Sequence, residues 1–391
     1  IKNGGEAKVL AEFGAGGQGT VYKVSYQGVE YALKWYHDGV FHGKENAFYQ
    51  NLENNISKGA PTKAFLWPLG ITEPQNGSFG YIMNIRPNGY DELTDFFVGS
   101  KKKNQVRFKS FSAISTAAIN IIQAFRELHN SGYSYQDINN GNFFINPNSG
   151  DVMICDNDNV SPFGTNLGIG GKQRWMAPEI VMGGDPDKQS DRFSLAVVLF
   201  RLLFINHPLE GRYSTPPCMT KELERRYYGT DPVFVYDPDN QVNRPIQGTD
   251  HNLRLFWSIY PQYIKDAFIR AFSHDVMMKK APRIIEIEWL NLFFRLRAET
   301  ILCPHCKQDT FYDMALTEST CMECGKKIQK PAVLNTQHFA LPIVAGQKIY
   351  LWQVDSSQDD VETVLADVIR NPSNPNIVGF RNLSQYTWTV S

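Results

Sequence analysis

The sequence lacks an uninterrupted apolar run long enough to cross a membrane. The longest candidate, Phe193 to Ile205, is broken by Arg201 and falls short of the roughly 18 residues that a membrane span needs. The first residues, Ile1 to Lys8, are polar and contain glycine, so they do not resemble a secretory signal. We therefore expect a cytoplasmic protein without a membrane span.

An excess of either charge is also lacking. The chain has 39 Lys and Arg residues against 40 Asp and Glu residues, which gives a net charge of −1. No overall basic field therefore holds it on nucleic acid or on an anionic membrane, and a nucleic-acid role would need a local basic patch. The sequence contains no internal repeat or low-complexity tract. With 391 residues and 42% hydrophobic content, it is typical of a folded protein of two or three domains.

Cysteine is scarce, with six residues in the chain, but four of them form two Cys-x-x-Cys pairs. The first motif consists of Cys303 and Cys306, and the second of Cys321 and Cys324. Each turn can direct two thiolates at one ion, and two turns complete the tetrahedral sulfur shell that structural zinc prefers. The alternatives are two disulfides or a redox pair, but neither a secreted context nor a strand-helix-strand setting accompanies these cysteines. We predict a structural Zn2+ site.

A glycine-rich hairpin joins two strand-like runs near the N-terminus. It contains Gly14, Gly16 and Gly19, and such glycines let backbone N–H groups approach phosphate oxygens. A tight structural turn explains an isolated match equally well, and a dinucleotide-binding fold would need a helix where a strand continues here. Lys34 ends the next strand, where its amine can reach phosphates beneath the glycines.

A lysine in that role needs a carboxylate to hold it, and the following helical segment offers Glu45 and Glu53. Glu45 shares a helix face with Phe48, Tyr49 and Leu52, which is typical of a side chain that points inward. Glu53 is followed at i+3 and i+4 only by Ile56 and Ser57. We favour Glu45.

Three polar residues farther along the chain stand in a distinctive order. Asp137 is followed five residues later by Asn142, and Asp156 comes directly after the strand-like run that ends at Cys155. A turn explains any one of them alone, but not their order and spacing together. The set resembles the catalytic loop and the metal-binding aspartate of eukaryotic-type (Hanks-type) protein kinases. Phosphoryl transfer needs a base beside the acceptor hydroxyl, oxygen ligands for Mg2+ and cations over the phosphates.

The resemblance continues beyond these residues, from about residue 6 to residue 297. Ala177-Pro178-Glu179 matches the end of the activation segment, Asp191 opens an apolar helix, and Arg283 matches a late arginine that pairs with the glutamate. The resemblance implies a role for each matching residue. By this resemblance, Lys34 holds the α- and β-phosphates, Glu45 orients Lys34, and Asp137 accepts the hydroxyl proton. Asn142 and Asp156 bind Mg2+, while Gly14, Gly16 and Gly19 cover the triphosphate of ATP. The residues that contact the nucleotide are Val21, Ala32, Met83, Asn84 and Ile85, the last three as the adenine-binding hinge.

The sequence departs from the family pattern at four points. Gln136 replaces the arginine that binds a phosphorylated activation loop, so switching by phosphorylation at Ser161 or Thr165 is in doubt. Asn139 replaces a lysine, which removes a cation from the transferring phosphate. Asp-Phe-Gly has become Asp-Asn-Asp, in which Asp158 could add a metal ligand. Lys172 stands in the place of a threonine, as either a substitute cation or a solvated loop residue.

The predicted fold class is α+β, a bilobal protein-kinase fold followed by two small modules. We expect a β-rich N-lobe over 1–86, a helical C-lobe over 87–297, a zinc ribbon over 298–332 and a small β-rich module over 333–391. In the last module, Ile369-Arg-Asn-Pro and a later Gly-Phe-Arg-Asn-Leu-Ser faintly resemble the start of a forkhead-associated domain. That resemblance stops at Ser391, before a sandwich would close, so we expect the module to be truncated.

The predicted function is ATP- and Mg2+-dependent transfer of the γ-phosphate to Ser or Thr of a protein substrate. The ribbon together with Asp156-Asn157-Asp158-Asn159 resembles bacterial kinases of the tellurium-resistance phosphorylation system, which implies a phosphatase and a von Willebrand A-type protein as partners. One alternative is a nucleotide-binding pseudokinase scaffold, which Asn139 and the altered metal motif favour. The other is a small-molecule phosphotransferase, against which Ala177-Pro178-Glu179 and Asp191 stand.

Overall fold

An antiparallel five-stranded sheet with one helix forms the N-terminal part of the protein. The computed structural model describes residues 1–97, 105–168, 171–336, 339–355, 360, 363–374 and 377–389. The sheet order is β1-β2-β3-β5-β4, and the helix α1 follows β3 in the chain. The bounds are β1 Lys8–Ala15, β2 Gly19–Tyr26, β3 Val29–Tyr36, α1 Glu45–Lys58, β4 Gly70–Ile71 and β5 Gly80–Met83.

Local sequence explains the tightest turn of this sheet. Tyr26 pairs with Val29 across a two-residue loop, in which Gln27 and Gly28 have φ angles of 50° and 80°. Positive φ at both central positions is the geometry of a type I′ turn, whose twist matches that of the strands it joins. The register it sets pairs Val21 with Lys34. The sheet thereby fixes the position of Lys34 relative to the glycine-rich hairpin.

A helical part follows, built around helix α4, which is buried on almost every side as its apolar sequence predicts. A capping box of Asp187 and Ser190 starts α4, and the Ser110 hydroxyl caps α2 by accepting from the Ala113 N–H at 3.0 Å. The helices are α2 Phe111–Asn130, α3 Pro178–Val181, α4 Lys188–Phe204, α5 Lys221–Arg225, α6 His251–Ile259, α7 Gln262–Ala271, α8 His274–Met277 and α9 Glu286–Glu299.

Five short strands in this part carry the loops of the site. One three-stranded sheet has the order β6-β8-β9, and a two-stranded sheet pairs β7 with β10. Their bounds are β6 Asp91–Glu92, β7 Tyr133–Ser134, β8 Phe143–Ile145, β9 Val152–Ile154 and β10 Ser161–Pro162. The loop between β7 and β8 and the turn after β9 meet where the helical part faces the N-terminal sheet, because Lys34 of β3 bonds to Asp156 and Asp158.

Two hairpins after α9 carry the four clustered cysteines and dock on the helical part. The Tyr312 N–H donates to the Glu299 carbonyl at 2.8 Å, and Asp309 Oδ2 accepts from the Phe111 N–H at 2.8 Å, at the start of α2. The hairpins are β11 Thr300–Leu302 with β12 Asp309–Phe311, and β13 Glu318–Thr320 with β14 Lys327–Gln329.

The last part of the chain is a small β-rich unit packed on α9. The Trp352 ring stacks on Phe294 with centroids 4.0 Å apart, and Gln347 Nε2 donates to the Ala298 carbonyl at 2.7 Å. Its elements are β15 Ala332–Asn335, β16 Ala340–Ile343, β17 Lys348–Tyr350, α10 Leu351–Val354, β18 Val364–Arg370 and β19 Val378–Asn382. Parts of the segment 333–391 for which we predicted a forkhead-associated resemblance, including its last two residues, lie outside the described residues.

Two segments differ from what their composition predicts. The Pro, Asp and Asn content of the stretch from Arg212 to about Trp257 predicts an irregular segment, but this stretch contains α5 and most of α6. The residues from Phe339 to Gln353 are typical of strands, but this segment ends in the helical turn α10. Short helices of this kind carry too few residues for their apolar spacing to be recognised. Within the described part of the chain, no helix combines the length and apolar character that a membrane crossing requires.

Candidate active site

Asp191, in the first turn of α4, fixes the backbone of the loop that carries Asp137. Its Oδ2 accepts from the Tyr135 N–H at 2.7 Å, and its Oδ1 accepts from the Gln136 N–H at 3.1 Å. Gln136 has a φ of 70°, in the left-handed region that residues with side chains rarely adopt. Two charge-assisted hydrogen bonds from a buried carboxylate therefore support the strained residue directly before Asp137.

The carboxylate of Asp137 is held by several nitrogen donors. Its Oδ1 accepts from Asn139 Nδ2 at 3.1 Å and from the Lys172 N–H at 3.2 Å, while Asn159 Nδ2 lies 3.5 Å from Oδ2. Burial raises the pKa of Asp137 to about 6, although the bonds from Asn139 and Lys172 act to lower it. A carboxyl group with this pKa is largely ionised at neutral pH and can accept a proton.

Asn142 and Asp156 are brought to the same point of the fold. The Cys155 N–H donates to the main-chain carbonyl of Asn142 at 2.8 Å, which ties the two loops together. Asn142 Nδ2 donates to the Asp137 carbonyl at 2.9 Å, so its side-chain oxygen is the atom left for a cation. Asp156 adopts the left-handed conformation, with a φ of 52°, and its side chain is 40% exposed. Amide and carboxylate oxygens are ligands that Mg2+ prefers.

Lys34 lies buried between the sheet and this loop, with its side chain 6% exposed. Its Nζ is 2.9 Å from Asp158 Oδ2, 3.3 Å from Asp156 Oδ1 and 3.3 Å from Gln18 Oε1. Burial opposes the positive charge, but the two carboxylates outweigh it and the pKa of Lys34 is raised. Lys34 is therefore a fixed cation that joins the glycine-rich hairpin to the Asp-Asn-Asp turn.

Tyr36 completes the surroundings of Lys34. Alternate residues of a strand share a face, so Lys34 and Tyr36 of β3 point the same way, and the Tyr36 hydroxyl donates to Asp158 Oδ2 at 2.5 Å. Burial and the Asp158 charge raise the pKa of Tyr36 well above its ordinary value, so the hydroxyl keeps its proton and donates. Tyr36 was not among the residues predicted from the sequence, although the strand alternation after Lys34 was a signal that could have identified it.

Glu45, which we expected to hold Lys34, does not contact it. Glu45 is the first residue of α1, and its Oε1 accepts from the Gly43 N–H at 3.2 Å, because the N-terminal end of a helix attracts a carboxylate to nearby free N–H groups. Glu53, the alternative, forms an ion pair with Lys2. The carboxylate beside Lys34 comes from Asp158 instead, and helical phase alone could not show this.

The glycine-rich hairpin contains two kinds of glycine. A Cβ at Gly19 would lie 2.3 Å from the Trp35 carbonyl oxygen, so packing of the sheet requires glycine there. A Cβ at Gly14 or Gly17 would meet open space, one at Gly16 would meet only the Gly19 oxygen at 3.8 Å, and none of the three has positive φ. Packing does not explain these three glycines, which leave room for a ligand to approach the backbone.

The residues expected around the adenine lie together. Val21, Ala32, Met83 and Ile85 belong to one apolar cluster. They come from β2, β3, the end of β5 and the chain directly after β5, respectively. Asn84 follows the end of β5 and is exposed. The structure therefore places an apolar cluster directly after the glycine-rich hairpin, at Val21 of β2, with exposed Asn84 following Met83 of that cluster.

The segment from Ser161 to Glu179 is held at both ends. At its start, Gln136 Nε2 donates to the Ser161 hydroxyl oxygen and, at 2.8 Å, to the Thr165 carbonyl. At its end, both carboxylate oxygens of Glu179 accept from Arg283 at 2.8 Å, which confirms the pair that the resemblance predicted. Bidentate pairing of this kind is strong and directional.

Lys172, in the same segment, lies at the site. Besides its N–H bond to Asp137, its Nζ donates to Asn140 Oδ1 at 2.7 Å. The side chain of Lys172 therefore points along the loop that carries Asp137 and Asn142, a position that only counting back from Ala177 suggested in the sequence.

The four cysteines of the two hairpins form one cluster. Their sulfur atoms lie within 4.8 Å of one another, with Cys303 to Cys324 at 3.9 Å and Cys306 to Cys321 at 3.7 Å. These separations are far longer than a disulfide bond. Four thiolates about 2.3 Å from a central zinc would lie about 3.8 Å apart in a tetrahedron. The two distances of 3.9 and 3.7 Å are close to this spacing.

Comparisons with known proteins agree with this geometry. Residues 7–241, more than half of the chain, match the family model described as the protein kinase domain. A probable serine/threonine-protein kinase of Dictyostelium discoideum, kinX, is 27% identical over 207 residues, which are 50% of this chain and 18% of that protein. The protein kinase YegI of Escherichia coli (strain K12) is 24% identical over 295 residues, which are 71% of this chain and 43% of YegI. The chain thus spans less than half the length of either relative.

Proposed function

Since the chain belongs to the protein kinase family, we propose that it transfers the γ-phosphate of ATP to a serine or threonine hydroxyl of a protein partner. The observation that carries the proposal is the convergence of Lys34, Asp137, Asn142 and Asp156 at one point, from a strand of the sheet and two loops of the helical part. A cation, a base and two oxygen ligands are the parts that phosphoryl transfer requires.

The residues present fit ATP and Mg2+. Gly14, Gly16 and Gly17 leave the backbone open to phosphate oxygens. Asp156 offers a partly exposed carboxylate, directly after the Cys155 N–H that bonds to the Asn142 carbonyl. Asp158 Oδ1 is buried and has no protein partner in the described structure. Bound at Asn142 and Asp156, Mg2+ would supply positive charge that neutralises the phosphates during transfer. Lys34 would contact the α- and β-phosphates, and the apolar cluster of Val21, Ala32, Met83 and Ile85 would receive the adenine.

Asp137 is the proposed base. The hydrogen bonds from Asn139 and Lys172 fix one oxygen of its carboxylate, so the other can face an acceptor hydroxyl. Because the pKa of Asp137 is about 6, the carboxylate is ionised above that pH and accepts the hydroxyl proton as the phosphoryl group is transferred. Asn139 takes part here as an orienting donor, where the family pattern has a cation.

Because that cation is absent, other residues must stabilise the negative charge on the transferring phosphoryl group. Lys34 is one source, and Lys172 is a second, because its main chain touches Asp137 while its ammonium group lies on Asn140. We therefore propose a slow kinase, in which either Lys172 or Lys34 with the metal carries the stabilisation.

We further propose a peptide segment as the acceptor. The Glu179–Arg283 pair and the Asp191 bonds to the loop before Asp137 anchor the segment against which a peptide would lie. These contacts favour a protein substrate over a small molecule. The tellurium-resistance resemblance adds a phosphatase and a von Willebrand A-type protein as proposed partners.

For the four-cysteine cluster we propose one Zn2+ in a closed structural site. The sulfur spacing fits tetrahedral coordination, and Cys303 and Cys321 are almost fully buried. The ion would hold the two hairpins of a zinc ribbon over 298–332. Kinase lobes over 1–86 and 87–297 and a forkhead-associated-like module over 333–391 complete the proposed domain organisation.

A radiolabelled-ATP assay tests the proposed function. Wild type and Asp156→Ala are compared with and without Mg2+ on a generic protein acceptor such as casein. We expect transfer by wild type only with Mg2+ and none by Asp156→Ala. Equal labelling by both proteins, or labelling that ignores Mg2+, would contradict the proposal and favour a nucleotide-binding scaffold.

A further inference from the structure

Helix α1 has no carboxylate left for Lys34. Its two acidic residues, Glu45 and Glu53, bond to the Gly43 N–H and to Lys2, respectively. The buried face of the helix presents amides in their place. Asn51 Nδ2 and Asn55 Nδ2 both donate to the Val160 carbonyl at 2.8 Å, two residues after Asp158. The helix therefore contacts the metal-binding turn through that turn's backbone and does not contact Lys34 through a charge.

Asp158 fills the place of the missing carboxylate. Its side chain is fully buried, and Oδ2 bonds both to Lys34 Nζ, at 2.9 Å, and to the Tyr36 hydroxyl. A carboxylate without solvent is costly unless it is paired and hydrogen-bonded. Lys34 and Tyr36 supply the pairing at Oδ2, while Oδ1 has no protein partner among the described residues. Asp156, at 3.3 Å from the same amine, is 40% exposed. The two aspartates of the turn therefore differ in environment although both touch Lys34.

The turn that carries Asp158 is fixed on both sides. Asn157 Nδ2 donates to the Ile154 carbonyl at 2.9 Å before it, and the two asparagines of α1 hold the Val160 carbonyl after it. Lys34 Nζ also donates to Gln18 Oε1 of the glycine-rich hairpin at 3.3 Å. Lys34 is thus directed by a rigid buried turn toward the hairpin proposed to cover the phosphates.

We propose that Asp158 is the positioning residue that holds Lys34 toward the phosphates, in place of a carboxylate on α1, and that exposed Asp156 is left to bind Mg2+. This inference rests on the proposed function and names the residue through which Lys34 acts. It gives the two aspartates separate tasks, one inside the protein and one facing the nucleotide. The position of Lys34 then does not depend on either carboxylate of α1.

A double-mutant cycle of Lys34→Met, Asp158→Asn and the double variant tests whether Asp158 acts through Lys34. We expect each single variant to lower kcat about 100-fold. The kcat of the double variant should be no more than about twofold below that of the less active single variant. If the loss of kcat in the double variant equals the product of the two single losses, Asp158 acts independently of Lys34 and the proposal is overturned.

A Mg2+ titration of the same variants separates positioning from metal binding. With Asp158→Asn, the Mg2+ concentration for half-maximal activity should stay within about threefold of wild type, whereas Asp156→Asn should raise it at least about tenfold. A tenfold rise with Asp158→Asn would identify Asp158 as a metal ligand and overturn the proposal.

Two variants of α1 complete the design. The matched control Glu53→Gln should leave kcat unchanged, and a loss with Glu45→Gln equal to that with Asp158→Asn would overturn the proposal. If wild type transfers no phosphate, the proposed function fails. The MgATP dissociation constant of each variant then replaces kcat as the quantity compared in the double-mutant cycle. Coupling of at least about fivefold between Lys34 and Asp158 would still support the positioning role, and independent effects would overturn it.

Discussion

The side-chain amide of Gln136 donates to the Thr165 carbonyl at 2.8 Å and to the hydroxyl of fully buried Ser161. Neutral groups therefore join the start of the activation segment to the loop that carries Asp137. The family resemblance places an arginine and a phosphate in this contact. Here a phosphate on Ser161 would meet a buried, uncharged environment, which disfavours it strongly.

We predict that phosphorylation of this segment is not required for activity. The variant Ser161→Ala/Thr165→Ala should keep transfer within a few-fold of wild type, because the Thr165 carbonyl still accepts from Gln136. Steady-state kinetics on dephosphorylated wild type and on the variant measure this. A collapse of activity in the variant, restored by acidic residues at these positions, would show that another cation binds a phosphate there.

Stability should depend on pH through His129. Its Nδ1 lies 2.9 Å from Glu286 Oε1 and its Nε2 3.1 Å from Asp191 Oδ2. Burial opposes the charged ring, but the two carboxylates outweigh it and raise the pKa of His129 from 6.5 to about 9. A raised pKa stabilises the folded state fully below the unfolded value of 6.5, and this contribution is lost as pH rises through about 9.

The size of this effect is on the order of 3 kcal/mol, since each pKa unit corresponds to about 1.4 kcal/mol. Urea unfolding at a series of pH values measures it. Wild type should lose roughly that free energy of unfolding between about pH 6 and pH 10, relative to His129→Gln. Parallel curves for the two proteins would show that His129 is not charged in the folded state.

The zinc proposal predicts one Zn2+ per chain in a site without an open coordination position. Metal analysis should find it in wild type and not in Cys321→Ser, and Cys218→Ser, which removes an exposed cysteine outside the cluster, is the matched control. Because the hairpins dock on α2 and α9, loss of the ion should lower thermal stability, while kcat per folded molecule changes little. A purified protein free of zinc would contradict the proposal.

The missing cation at Asn139 gives a further prediction. Asn139→Lys should raise kcat by restoring charge near the transferring phosphoryl group, and Lys172→Ala should lower it only if Lys172 supplies that charge in the native protein. Steady-state kinetics of both single variants and of the double variant decide between the two sources. A fall in kcat with Asn139→Lys would show that the Asn139 bond to Asp137 matters more than the absent charge.

Much of the site could be predicted from the sequence because its order along the chain is distinctive. Asp137, Asn142 and Asp156 were identified because their order and spacing resemble the protein-kinase pattern. The structure brings their loops together, in part through the hydrogen bond from the Cys155 N–H to the Asn142 carbonyl. The buried helix α4 was equally clear, since its part from Phe193 to Phe204 is almost entirely apolar. Such patterns involve residues close together in the chain, so they can be interpreted without knowledge of contacts between distant segments.

The partner of Lys34 could not be predicted in the same way. Helical phase put Glu45 on an inward face, but Glu45 is the first residue of α1 and its carboxylate turns to a free N–H group. Asp158 lies 124 residues from Lys34, and only the folding of the Asp156-Asn157-Asp158 turn against β3 brings them together. Contacts between distant segments leave no periodic signal in one sequence.

The most direct measurement compares phosphate transfer by wild type and Asp137→Asn, with MgATP affinity determined for both. Asp137→Asn keeps the size and the Asn142 contact to the main chain but removes the base. We predict a fall in kcat by a factor on the order of 100 or more, with the MgATP dissociation constant changed less than about threefold. If both proteins instead transfer phosphate equally, at background level, the chain is a nucleotide-binding scaffold and not a kinase.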